Sequence, residues 1–201
     1  IRYPKFDTAE MRRENPVVDG ECQKAESKPV YWLGKDFDHA MWGDAYTRKN
    51  PIGIHEVIQT CTPYKMNVIK EKYYYPNNAI MSVAGDVNHE EIFKLVESIY
   101  GSWESSKFDI FQKYPIPEFE PLKENKTFIT VNQNAQIPIM EIGWHGPDTR
   151  NDIKATYAAD VFSFILGLQT SSFYQNLVES GLALQVGVGY QTCKHTGPIT
   201  A

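Results

Sequence analysis

The chain has 201 residues, 42% hydrophobic and 13% aromatic, enough for one sizeable core or two smaller ones and too apolar for disorder. Its formal charge is −5 and its Lys and Arg residues are dispersed, so it lacks the basic face that a nucleic-acid partner requires. No apolar run approaches the roughly 20 residues that cross a bilayer, and Ile1-Arg2-Tyr3-Pro4-Lys5 does not open a signal peptide.

Cys22, Cys61 and Cys193 are odd in number and never form a C-x-x-C pair, which argues against a disulfide framework and against a thiolate zinc site. The chain opens without a methionine just ahead of a helical pattern. It closes on Gly197-Pro198-Ile199-Thr200-Ala201, which reads as a strand beginning. The sequence is therefore expected to be an internal piece of a longer polypeptide.

From Asp7 to about Trp42, charged and apolar residues recur at helical spacing, as in Glu10, Met11, Glu14, Val17, Val18 and Glu21, with Pro16 and Pro29 as interruptions. Asn15-Pro16 has the form of an N-cap followed by an N1 proline, which predicts that the helix carrying Glu21 starts there. Gly43 to Gly53 is turn-like, Glu56 to Gln59 predicts a short helical turn, and Thr62-Pro63 caps a longer helix to about Tyr74.

After Pro76-Asn77-Asn78, the apolar run Ala79 to Ala84 predicts a buried strand ended by Gly85-Asp86. Asn88 and Glu91 have capping-box spacing ahead of Ile92, Phe93, Leu95, Val96 and Ile99, and Gly101 is placed to end that helix. Ser102 to Asn125, with Pro115, Pro117 and Pro121, reads as an extended linker. Thr127 to Val131 and Ile137 to Trp144 predict a hairpin turning at residues 133–136. Asp152 to Leu166 predicts a buried helix, Gln169 to Ser180 a second helix closed by Gly181, and Leu182 to Tyr190 a strand. Helices and strands mix without the regular alternation of a doubly wound sheet, which predicts the α+β class.

The five histidines, His39, His55, His89, His145 and His195, are never three or four residues apart, so a helical zinc pair is absent from this chain. Each taken singly reads as a structural residue. Glu14 and Glu21 are seven apart, two helical turns, so on a continuous helix they share a face where carboxylates could bind or support a metal. Two glutamates on a helix are also an ordinary solvated face. No Gly-x-Ser-x-Gly occurs, and Gly187-Val188-Gly189 is too short for a dinucleotide loop.

Several segments, taken in order, resemble the insulinase/pitrilysin family of zinc metallopeptidases, the inverzincins. Glu14-Asn15-Pro16-Val17-Val18-Asp19-Gly20-Glu21 resembles the stretch that follows that family's H-x-x-E-H helix and ends in its glutamate zinc ligand. Asn50-Pro51-Ile52-Gly53 is similar to its proline-glycine turn. Tyr73-Tyr74-Tyr75-Pro76-Asn77-Asn78-Ala79 with Val83-Ala84-Gly85-Asp86-Val87 is similar to its tyrosine-proline-asparagine-asparagine loop and glycine-aspartate strand end. Ile165-Leu166-Gly167, Ser171-Ser172-Phe173 and Gly181-Leu182-Ala183 resemble the glycine and double-serine pattern of its next domain.

The resemblance implies α+β domains with helices packed on mainly antiparallel sheets. Residues 1–112 would be the later half of the catalytic domain, 113–124 a linker, and 125–201 the opening half of the following non-catalytic domain. It implies Zn2+ in the full-length protein, with Glu21 as a ligand and Glu14 as a residue orienting a ligand. The two histidines and the catalytic base would lie upstream, roughly 70 to 80 residues before Glu21. Bound zinc would activate a water for hydrolysis of peptides or unfolded polypeptides.

Active members also supply an Arg and a Tyr to grip the substrate carbonyl. Here Phe173 and Val178 stand where the Arg would be sought and Leu184 where the Tyr would be, so either a tandem second half or a partner subunit provides that pair, or the protein does not need it. The alternative is a non-catalytic scaffold or partner subunit of the same fold. By the resemblance, the compartment leans to periplasmic or exported. The chain alone is expected to bind no zinc tightly and to cleave nothing, since one carboxylate cannot hold the ion against water.

Overall fold

The computed structural model describes residues 2–201, without the side chain of Tyr46; Ile1, where the predicted first segment begins, lies outside the described residues. Helix α1 spans Thr8–Glu26 with Pro16 inside it. Its cap is Asp7, whose Oδ1 accepts hydrogen bonds from the backbone N–H groups of Ala9 and Glu10 at 2.9 and 3.0 Å. The expected start at Asn15-Pro16 is thus corrected: the Asn15 side chain instead donates to the Cys61 carbonyl at 3.3 Å. A proline inside a helix removes one rung of its ladder and crowds the preceding turn, so α1 needs its cap and its tertiary contacts to run through residue 16.

The described residues form two units, the first made of the segment ending at Gln23 together with Pro51–Ile116, and the second of Lys24–Asn50 with Pro117–Ala201. In the first, α1 is followed by α3 (His55–Gln59), α4 (Pro63–Tyr73), α5 (His89–Tyr100) and the single turn α6 (Ile110–Lys113). Gly53, at φ +90°, turns the chain into α3, a conformation that a side chain would strain. The expected caps are in place at two helices. Thr62 Oγ1 accepts from Lys65 N–H, with Pro63 opening α4, and Asn88 Oδ1 accepts from the N–H groups of Glu90 and Glu91.

The tyrosine-rich motif is structural in this unit. Tyr73 and Tyr75 join Phe108 and Tyr114 in an aromatic cluster with centroids 5.5 to 6.1 Å apart. Asn77 exchanges two hydrogen bonds with Ser106, and Asn78 donates to the Tyr73 carbonyl. These bonds fold the segment after α5 back onto the Pro76–Asn78 turn.

In the second unit, α2 (Pro29–Trp42) lies against a three-stranded antiparallel sheet of β1 (Gly143–His145), β2 (Gly189–Tyr190) and β3 (Pro198–Thr200), in the order β1-β3-β2. Gly143 pairs with Thr200, Trp144 with Ile199 and His145 with Pro198. Gly143 is required where it stands, since a Cβ there would overlap the Phe37 ring and the Met41 sulfur. His145 stacks on Trp42 at 4.4 Å and its Nε2–H donates to the Met41 carbonyl, while the Arg48 guanidinium covers the Trp42 and Phe119 rings. Helix α7 (Ile153–Gly167) is capped by Asp152, and α8 (Ser172–Tyr174) continues as one wider turn to Glu179 before Gly181 at φ +79°.

This is an α+β chain, rich in helix, with a small antiparallel sheet. Four of the expected strands are corrected, two in whole and two in part. Residues 79–84, the hairpin arms 127–131 and 137–141, and residues 182–188 form no ladders among the described residues. A strand exists only when a neighbour takes its N–H and C=O groups; among the described residues, 143–145, 189–190 and 198–200 find one, and Ile142 and Ala201 exchange one further pair of backbone hydrogen bonds at the sheet end. The expected burial of α7 is corrected as well. Phe164 is 71% exposed, and Tyr157, Val161 and Ile165 are exposed with it, as are Phe93, Leu95 and Ile99 on α5 and Ile80 on the extended segment.

Apolar surface on this scale drives association when nothing covers it. The isolated chain is therefore expected to sediment as concentration-dependent oligomers and to melt broadly. A sharp, concentration-independent two-state melt of a monomer in the ultracentrifuge and calorimeter would contradict this.

Candidate functional site

Helix α1 carries both acidic residues that the sequence offers for a metal site, Glu14 and Glu21. At roughly 100° of turn per residue, Met11, Asn15, Val18 and Cys22 form one stripe, and these residues are buried or half-buried. Asp19 lies at the edge of this stripe and is 7% exposed. Glu14 and Glu21 are both exposed and point away from Asp19. The helix is continuous through both, so the pair does share one open face, as the spacing predicts.

A buried carboxylate needs donors on each oxygen, and Asp19 has them. Its Oδ1 stands 2.5 Å from Nδ1 of His55, and its Oδ2 accepts from Gln23 Nε2 at 3.1 Å and Gln59 Nε2 at 3.2 Å. An ionised carboxylate only accepts, so His55 Nδ1 carries the proton in this bond. The His55 hydrogen bond is the main cause that holds the Asp19 carboxyl below its ordinary value. It acts against burial, which pushes the other way, and is helped by Gln59, by the charge of His55 and by Gln23.

Sequence reasoning passed over Asp19 and treated His55 as one more structural histidine. The available signal was an Asp at the edge of an otherwise covered helical stripe, which predicts a partner elsewhere in the chain. Neither its identity nor its distance along the sequence is legible from a helical pattern.

Glu21, the ligand that the resemblance implies, is an exposed carboxylate, with the exposed Glu14 two turns earlier. Among the described residues no group of three or more His, Cys, Asp or Glu could hold a metal ion. A zinc centre takes at least three protein ligands, so the donor type fits as a single contribution and these residues do not by themselves complete a site. In the second unit, Asp38 and Glu141 line a cleft of about 440 Å³ with Trp42, Arg48 and Tyr190. Burial raises both carboxyls, and the charge of Asp38 adds to the effect on Glu141. Leu184, where the resemblance seeks a Tyr, is 86% exposed.

Residues 62–200 match the sequence profile of the family described as the peptidase M16 inactive domain, and the chain belongs to that family. It is 25% identical over 189 residues to an uncharacterized zinc protease of Rickettsia bellii, covering 93% of this chain and 44% of that protein. It is 29% identical over 170 residues to the zinc protease PqqE of Helicobacter pylori, covering 83% and 37%. The fold is that of a protease crystal structure from Helicobacter pylori, with a TM-score of 0.77 at 22% identity over 98% of this chain and 48% of the other. A peptidase M16 inactive domain from Pseudomonas fluorescens superposes with a TM-score of 0.70 at 16% identity, over 98% and 47%. The chain thus spans less than half the length of these relatives.

The Asp19 contact has a defined pH dependence. The unfolded carboxyl titrates near 3.9 and the folded one lower, so the stabilising contribution is complete above about pH 4 and is lost as pH falls through the folded value. The urea midpoint of Asp19→Asn is expected to lie below that of the wild type at neutral pH, with the two converging under strong acid. A gap unchanged by acid would contradict the assignment.

Proposed function

We propose that this chain is part of a zinc-dependent metalloendopeptidase that hydrolyses peptides or unfolded polypeptides, and that Glu21 is its contribution to the metal site. The observation that carries the reading is the placement of Glu21. It is exposed on an unbroken helix whose other side is anchored through Asp19, in a chain whose relatives are named zinc proteases. A ligand has to be both reachable and held still, and α1 supplies both conditions.

On this reading residues 1–112 belong to the later half of a catalytic domain, 113–124 to a linker and 125–201 to the start of a non-catalytic domain. Zinc, held by Glu21 with two upstream histidines, would supply an activated water. The part of this chain is to present the carboxylate, with Glu14 on the same face to orient a neighbouring ligand. The substrate-gripping Arg and Tyr would come from a tandem half or a partner subunit, and the isolated chain would be inactive.

The second reading is a non-catalytic scaffold or partner subunit of the same fold. It is favoured by the family match to an inactive domain and by Leu184, Phe173 and Val178 in place of the gripping pair.

Zinc content and peptide hydrolysis of the full-length protein, beside its Glu21→Gln variant, separate the two. The peptidase reading expects about one zinc per molecule, with the variant losing the metal and at least about 100-fold in activity. A full-length protein without zinc, or a variant indistinguishable from wild type, assigns the chain to a scaffold.

A further inference from the structure

We propose that Asp19 and His55 are a positioning pair that fixes the rotation of α1 about its own axis, and so the direction in which Glu21 is presented. The inference rests on the reading of Glu21 as a metal ligand. Asp19 and Glu21 are two residues apart, about 200° around the helix, so whatever clasps Asp19 aims Glu21 to the opposite side.

The clasp is directional where the remaining contacts of α1 are not. Apolar packing of Met11, Val18 and Cys22 tolerates a roll of the helix, because burial has no preferred angle. Hydrogen bonds to both oxygens of one carboxylate do not. Two of the donors, His55 and Gln59, stand on the same face of the short helix α3, and the third, Gln23, lies one turn along α1 itself. Asn15 adds a second tether one turn earlier, to the Cys61 carbonyl just past α3. Two tethers on one side of a helix oppose both roll and tilt.

The location explains the need. Pro16 lies between the two tethers, where the helix lacks the rung that residue 16 would have closed, and prolines are where helices bend. Without the clasp, the four residues between Pro16 and Glu21 would amplify any bend into displacement of the Glu21 carboxylate. A roll would also pull Asp19 away from its donors while leaving it buried, which is costly for a charge.

The test uses the full-length protein and reads zinc affinity by chelator competition, with far-UV circular dichroism and thermal melts as controls, well below the melting temperature. His55→Leu removes the donor, and His55→Gln restores an N–H group to the same place. The expected result is a 10- to 100-fold weaker zinc affinity for His55→Leu, with helical content unchanged and most of the loss recovered in His55→Gln. Wild-type affinity in His55→Leu overturns the proposal, as does a His55→Gln variant no better than His55→Leu. Should His55→Leu fail to fold, Gln59→Leu removes one donor from the same carboxylate; several-fold weaker zinc supports the clasp and unchanged affinity overturns it. Glu21→Gln runs alongside. If it abolishes zinc binding while His55→Leu binds normally, only the positioning role falls. If Glu21→Gln keeps its zinc, the ligand reading fails and the positioning role falls with it.

Discussion

A carboxylate taken out of water must be met by donors, and the first unit is built around meeting that demand at Asp19. Three side chains converge on it, two of them from α3, one turn of helix that follows the positive-φ turn at Gly53. The same contact keeps α1 in one setting past Pro16 and leaves Glu14 and Glu21 on the open side. A hydrophobic residue at position 19 would hold the two helices together through burial, yet would leave their relative rotation loosely defined. The polar solution is worthwhile where angle matters, and angle matters for a metal ligand.

The exposed apolar faces of α5 and α7 and the unpaired extended segments share one cause. Elements of an α+β fold bury one face each against a sheet, and the sheet assembled here has three short strands. Matching solved structures extend over roughly twice this length. Segments 79–84, 127–131 and 137–141 carry strand-like sequence without strand partners among the described residues.

Local chemistry was therefore the legible part of the sequence. Thr62 and Asn88 cap the helices their spacing predicts, since a cap needs only residues three or four positions away. The start of α1 was misplaced because Asn15 has the form of a cap, whereas its side chain is taken by Cys61, 46 residues further on. The extent of the strands and the burial of α7 differ from expectation for a related reason, as both depend on what lies opposite. At the candidate site, ordered motifs singled out Glu21 and Glu14, and both stand exposed on a continuous helix. The Asp19 and His55 contact, between residues 36 apart, leaves no trace in the period of either helix. Family membership rests on the ordered motifs and the profile match together, and reaches further than any single residue.

In the function proposed for the full-length protein, α1, held through Asp19, presents Glu21 to zinc. Zinc K-edge X-ray absorption tests it at the metal itself. The expected result is a first shell of nitrogen and oxygen, with two imidazole rings and one carboxylate, and loss of the carboxylate contribution or of the zinc in Glu21→Gln. A shell containing sulfur, or one unchanged by Glu21→Gln, would contradict it.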